Sequence, residues 1–253
     1  MKNCLVLGSG RSGTSMVAGC IHGAGYRMGE QLMPPTPGNP KGYFESKVIE
    51  RINERLLASF VRMRPRGVLG RLFPNRLGPT QLWLARVPVG TRLTAAPELE
   101  RRMREQVERE PFCFKDPRFC YTLPSWRPLL PKTVYVCVFR DPAATVRSIL
   151  SECRRDAYLA DLTIDESWAY EVWSLCYRHI LEVHAVEGRW LFLHGDQVIA
   201  GDGLDRLDAF LDARVDRSFP EASLQRPPSS DAAPDAVRSI YRTLCERAEH
   251  ALP

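Results

Sequence analysis

No apolar run in this 253-residue chain approaches the ~20 residues that a membrane-spanning helix requires. Nor is there an apolar core of a secretory signal, because the first apolar segment, Cys4 to Leu7, is far too short and reads as a strand. A cytoplasmic location is therefore expected. The eight cysteines include no C-x-x-C pair, and Cys20, Cys137 and Cys176 fall inside strand or helix patterns. That distribution suits buried, reduced thiols better than disulfides or zinc. The five histidines show no metal-ligand spacing, since His179 and His184 are five apart and would not share one face of an α-helix. No metal is expected. Net charge is only +5 and no aromatic-basic reading motif occurs, so nucleic acid is not an expected partner.

What the chain does have is a short apolar segment running into a glycine-rich turn: Leu5-Val6-Leu7-Gly8-Ser9-Gly10-Arg11-Ser12-Gly13-Thr14-Ser15. A strand, a glycine turn and a helical pattern in that order make a phosphate cradle. Glycines allow backbone N–H groups to converge on an anion, and the helix adds its positive end. Spacing from Gly8 to Gly13 satisfies the first half of G-x-x-x-x-G-K-[ST], yet Thr14 stands where the lysine should be. The cation comes earlier, as Arg11. A nucleoside-triphosphate hydrolase would thus lack its main β/γ-phosphate contact. A second phosphate-type signal lies at Val134–Phe139, a buried-strand run followed by Arg140-Asp141-Pro142 and a helical pattern that carries Ser148. A guanidinium offers phosphate a forked, charge-assisted pair, and a hydroxyl adds one further bond.

Arg11-Ser12-Gly13-Thr14-Ser15 resembles the 5′-phosphosulfate loop of sulfotransferases that use 3′-phosphoadenosine-5′-phosphosulfate (PAPS), and Arg140 with Ser148 resembles their 3′-phosphate site. Further likeness to bacterial and carbohydrate-type members lies in Asn39-Pro40-Lys41-Gly42-Tyr43-Phe44-Glu45, Phe114-Lys115-Asp116-Pro117-Arg118 with Leu123-Pro124-Ser125-Trp126, and Leu191–Asp196. The resemblance runs from about Asn3 to Leu211, and no Arg/Lys-Gly-rich cofactor-covering segment follows it. It implies PAPS as sulfuryl donor without a metal, bound by Gly10, Arg11, Ser12, Gly13, Thr14, Ser15, Arg140 and Ser148. Arg11 would stabilise the leaving phosphate and Lys115 would contact the sulfuryl group or acceptor. Several carbohydrate-type relatives use a Glu base, which makes Glu45 the first candidate and Asp116 the second. Glu45 could equally be the acid that matches the N-terminal dipole of the next helix. His22 is expected to pack or face solvent.

Alternating strands and helices with near-continuous apolar strands predict an α/β, P-loop NTPase-like three-layer fold with a central parallel sheet flanked by helices. Strands are expected at 3–7, 112–114, 133–139 and 190–194. Helices are expected at 13–24, 46–60, 98–109, 143–155, 164–186, 203–212 and 235–249. Length and apolar content fit one domain over 1–253, with an insert at 61–97 and a Pro-rich connector and last helix at 227–253. The insert holds seven arginines and no acidic residue, interleaved with Leu69, Leu72, Phe73, Leu77, Leu82, Trp83 and Leu84. It is read either as part of an acceptor pocket for an anionic or amphipathic molecule or a membrane-surface lipid, or as a lid kept soluble by its arginines. The acceptor class stays open among small molecules, carbohydrates and lipids, and the oligomeric state is not read. A small-molecule kinase sharing the loop and a catalytically inactive nucleotide-binding relative are the rival functions.

Overall fold

The computed structural model describes residues 1–65, 67–221 and 233–252. Four strands, β1 (Cys4–Leu7), β2 (Cys113–Lys115), β3 (Val134–Phe139) and β4 (Trp190–His194), form a parallel sheet in the order β2-β1-β3-β4. The helices that flank it are α1 (Thr14–Gly23), α2 (Lys47–Ala58), α3 (Pro97–Val107), α4 (Phe119–Trp126), α5 (Pro142–Arg155), α6 (Glu166–Arg178), α7 (Gly195–Ala200), α8 (Asp202–Leu211) and α9 (Asp235–Ala248).

Strand side chains alternate between two cores. Leu5, Leu7, Phe114, Tyr135, Cys137, Phe139 and Phe192 meet residues of α2 to α6 and α9. Cys4, Val6, Cys113, Val134, Val136, Val138, Leu191 and Leu193 meet α1, α7 and α8. Burial on both faces explains why the strands read as continuous apolar runs, and it makes the fold the expected three-layer α/β arrangement. Among the described residues no helix is long and apolar enough to cross a membrane.

Helix starts follow local chemistry. Ser46 caps α2 by accepting from the Val48 and Ile49 amides, Asp141 caps α5 through Ala144, and Asp165 caps α6 through Trp168. Pro97 and Pro142 open their helices at a position where the missing N–H costs nothing.

Three departures from the sequence reading have physical causes. The expected helix 164–186 changes character after Arg178, continuing as a π-helical turn over His179–His184 closed by the Ala185 N–H to Ile180 carbonyl bond of 2.8 Å. Bonding between residues five apart brings His179 and His184 to one side, their rings 5.9 Å apart. Each ring is spent on a backbone carbonyl, His179 on Val87 at 3.0 Å and His184 on Cys120 at 2.9 Å. The second departure is α4, which Pro124 concealed. Proline removes the bond that the Cys120 carbonyl would have accepted, and His184 fills that vacancy. The third is the short α7, held by a capping box between His194 and Gln197. Of the connector at 227–234, residues 227–232 lie outside the described residues.

Candidate active site

A cavity of about 570 Å³ opens where all four strands end, within the ~300–1,000 Å³ usual for small-molecule sites. Strand order sets its layout. At one end lies Lys115, the last residue of β2; next come Gly10–Ser15 after β1, Arg140 after β3 with Ser148 on α5, and then Gly195 and Ile199 on α7 after β4. Carboxyl ends of parallel strands are where such folds bind ligands, because helix N-termini converge there.

The glycine turn is fixed from behind by Tyr177, whose hydroxyl donates to the Val138 carbonyl at 2.9 Å and accepts from the Ser9 amide at 3.3 Å. Gly10 cannot carry a side chain, since a Cβ there would lie 2.6 Å from the Trp83 ring. Arg11 and Gly13 have left-handed backbones, with φ of 69° and 89°. Gly13 stands at the N-cap of α1, and no acidic residue occupies the first turn of that helix. Its amides and positive dipole therefore face the cavity uncompensated.

Arg11 donates from Nε to Ser148 Oγ at 3.1 Å and from Nη2 to the Gly38 carbonyl at 3.0 Å, and it lies 3.5 Å from the Glu152 carboxylate. Sequence spacing paired Ser148 with Arg140; in the structure all three line one cavity and Ser148 touches Arg11 directly. Arg140 also donates to the Ala144 carbonyl at 2.9 Å, which steadies it against α5. Burial raises the Glu152 pKa, with Arg11 pulling the other way.

On the β2 side, Lys115 donates to the Glu45 carboxylate and to Ser15 Oγ at 3.2 Å, and Asn39 Nδ2 donates to the same Ser15 Oγ at 3.2 Å. Glu45 and Lys115 are both buried at the cavity wall. Burial raises the Glu45 pKa while Lys115 opposes the rise. Ser46, not Glu45, caps α2, which leaves Glu45 outside the helix as a cavity group. Asp116 needs correcting as a candidate base. It is buried behind the wall, absent from the lining, and its Oδ1 is taken by the Arg118 amide at 2.8 Å and guanidinium at 3.2 Å. A carboxylate held that way organises Arg118 and does not reach a ligand.

Arg118 itself was missed. It lines the cavity together with Glu50, and donates to Glu54 at 2.7 Å, Glu50 at 3.3 Å and the Thr80 carbonyl at 3.0 Å. Burial alone would lower its pKa, but Asp116, Glu54 and Glu50 together raise it. Burial pushes the Glu50 carboxyl up to about 7 despite Arg118. The available signal was Glu50 and Glu54, one turn apart on α2, and the arginine ending Lys115-Asp116-Pro117-Arg118.

The arginine-rich insert contributes Thr80 and Trp83 to the cavity, and none of its described arginines. Arg64 is spent on the Arg76 carbonyl at 2.8 Å, and Arg86 on Glu171 at 2.9 Å and on the Trp168 ring. At the β4 end, Ile199, Phe219 and Glu221 complete the lining, and Lys41 donates to the Phe219 carbonyl at 2.6 Å while lying 3.1 Å from Glu221. The sequence offered no motif for this side of the cavity. His22 is exposed, as expected, with its ring 5.5 Å from Phe44.

One histidine group emerges that spacing did not suggest, His194 with Asp196 and His250. The His194 and His250 rings stack at 4.0 Å and 11°, and the His194 nitrogens face the Asp196 amide and the Tyr241 hydroxyl, both at 3.2 Å. Burial lowers the His194 pKa to about 4. Both nitrogens of the buried His194 ring are thus engaged within the protein.

Comparison with protein-family models and with curated protein sequences finds no match. Solved structures do match. The sulfotransferase domain of the Synechococcus PCC 7002 olefin synthase superposes with a TM-score of 0.51 at 16% identity, covering 100% of this chain and 98% of that one. The sulfotransferase domain from the curacin biosynthetic pathway gives 0.51 at 14% identity, covering 100% and 99%. The chain has the sulfotransferase fold. Within that fold the phosphate cradle, the two arginines and the Glu45–Lys115 pair occupy one continuous cavity.

Proposed function

We propose that the chain, acting as one catalytic unit, is a sulfotransferase that moves a sulfuryl group from PAPS to a hydroxyl or amine. The observation that carries this reading is the adjacency within one cavity of a cationic phosphate cradle and a buried Glu–Lys pair, joined through Ser15. The donor set fits the group: backbone amides at Gly10–Ser15, two guanidiniums and hydroxyls match phosphate oxygens. When bound, PAPS supplies the sulfuryl group and leaves as adenosine 3′,5′-bisphosphate.

Each residue then has a task. Arg140 and Ser148 hold the 3′-phosphate, and Ile199 and Phe219 offer apolar surface to the base. Arg11 and the α1 N-terminus stabilise the charge that grows on the 5′-phosphate oxygen as the S–O bond breaks. Glu45 accepts the proton of the attacking acceptor oxygen or nitrogen, and Lys115 keeps that carboxylate aligned with the phosphate loop. In-line displacement of this kind depends on positioning and charge stabilisation, and residues already in place supply both.

The acceptor wall favours the amphipathic alternative over the anionic one. Its polar groups are Glu45 and Glu50 with Lys115 and Arg118, and Met33, Pro34, Tyr43, Trp83 and Pro117 provide apolar surface. All eight cysteines are free thiols, which supports a reducing, cytoplasmic setting.

Calorimetric titration tests the reading. Adenosine 3′,5′-bisphosphate is expected to bind without metal and more tightly than ADP. Preference for ATP with magnesium would overturn the proposal in favour of a small-molecule kinase. Binding of the bisphosphate with no turnover across an acceptor screen would indicate an inactive nucleotide-binding relative.

A further inference from the structure

The arginine-rich insert, which the cavity does not use, carries a second feature. Phe60, Val68, Leu69 and Leu72 are among the most exposed large apolar side chains described, with Val68 at 78%, Leu72 at 71% and Leu69 at 64%. They lie within thirteen positions of one another, whereas Met1, Val186 and Leu252 are scattered. Burying a single Leu or Val is ordinarily favourable, so three exposed together at one turn call for a partner.

Local geometry explains how they are presented. Residues Gly67–Leu72 form a 3₁₀ helix, in which side chains three apart eclipse one another and the turn has three faces. One face holds Gly67 and Gly70; Gly70 is buried, and a Cβ on it would lie 2.5 Å from the Pro65 carbonyl. Gly70 is therefore pressed against the chain, while Gly67 at the start of the turn is exposed. The remaining faces, Leu69 with Leu72 and Val68 with Arg71, project outward. Arg62 and Arg71 are exposed beside them, and Arg76 lies over the Phe73 ring at 4.0 Å. No acidic residue occurs from Val61 to Pro97.

From this geometry we infer that the turn at 67–72 docks on an anionic phospholipid surface, with Val68, Leu69 and Leu72 entering the headgroup boundary and Arg62 and Arg71 pairing with phosphates. The charge pattern selects this occupant. The exposed charges of the segment itself, Arg62 and Arg71, are both positive and complement an anionic surface, and Asp161 beside it is paired with Arg64 at 4.0 Å. Composition agrees: residues 60–76 hold no Trp or Tyr of the kind that anchors protein interfaces. The inference stands apart from the sulfuryl-transfer reading, because none of these side chains lines the cavity.

Co-sedimentation of the whole chain with vesicles tests it. Phosphatidylcholine vesicles containing a quarter phosphatidylglycerol should bring the protein down, pure phosphatidylcholine should not, and high salt should release it. Replacing Val68, Leu69 and Leu72 together by serine should weaken binding by about tenfold or more, and Arg62→Glu with Arg71→Glu should do the same. Val186→Ser, which removes an exposed apolar group elsewhere, should bind as the wild type does. Unchanged thermal midpoints would show that the variants fold. Failure to sediment with any vesicle, the result if a protein covers this turn, overturns the proposal. So does a triple-serine chain that binds as well as the parent.

Discussion

The two ends of the cavity are built on different principles. At the β1–β3 end, residues contiguous in sequence supply the polar groups: Gly10–Ser15 form one turn, and Arg140 and Ser148 sit eight residues apart around the start of α5. At the β2 end, the polar groups come from afar. Arg118 bonds to carboxylates 64 and 68 positions away, and Lys115 reaches Glu45 across 70. The first end lines the cavity with two guanidiniums, amides and hydroxyls, with the Glu152 carboxylate 3.5 Å from Arg11. The second end is nearly self-satisfied, with Glu45, Glu50, Glu54 and Asp116 shared between Lys115 and Arg118. A cationic, amide-rich end suits an anion, and a closed network shapes a wall; on the proposed function the first holds the donor and the second the base. Removing a group from the first should therefore weaken ligand binding, and removing one from the second should cost turnover or stability.

The largest effect is expected at the junction. Glu45→Gln should lower turnover ~10²–10⁴-fold, the range for loss of a general base, while bisphosphate affinity stays within a few-fold. Ordinary turnover in the Glu45→Gln enzyme would remove Glu45 as base, and loss of bisphosphate binding would show the two ends to be one unit. Arg118→Leu comes next. It strands Glu50, Glu54 and Asp116 without their shared cation, and breaking a buried pair from one side typically costs ~3–5 kcal/mol. Denaturant unfolding measures this directly. At the open end, Arg140→Ala should weaken bisphosphate binding by ~1.5–3 kcal/mol, the worth of hydrogen bonds to a charged group. It should leave the unfolding midpoint close to the parent's, and a large loss of stability would blur the distinction between the ends.

The same contrast explains what was readable in the sequence. Gly8–Ser15, the four strands and the Arg140/Ser148 signal were legible because each depends on neighbours in the chain. The Arg118 network, the Trp83 ring against Gly10 and the closure by Lys41 and Phe219 depend on tertiary proximity that spacing cannot encode. Asp116 drew attention because it stands beside Lys115, and adjacent residues of a strand end point to different places. No helix was expected over Phe119–Trp126, and its Pro124 is tolerated there because a distant His184 takes the carbonyl it frees. The arginines of the insert were legible as a composition, but which of them faced a cavity was not.

The smallest predicted effect probes the wall at Glu50. Glu50 is buried on the cavity wall, and burial pushes its carboxyl from 4.5 up to about 7, with Arg118 only partly offsetting this. As pH rises, the unfolded chain releases this proton near 4.5 and the folded chain releases it near 7. Between those values the native state binds more protons, so the Glu50 contribution to stability is complete below 4.5 and is lost as pH climbs to about 7. One proton changes stability by at most ~1.4 kcal/mol per pH unit, and solvent screening at the cavity wall reduces the change over this interval to roughly 1–2 kcal/mol. Glu50→Gln carries no such proton, so its stability should decline less across that interval and meet or exceed the parent's above about pH 7. Thermal unfolding in a series of buffers reads the difference. Parallel curves for the two proteins would mean that Arg118 satisfies Glu50 completely, and the wall would then be a closed network throughout, sharpening its contrast with the open phosphate end.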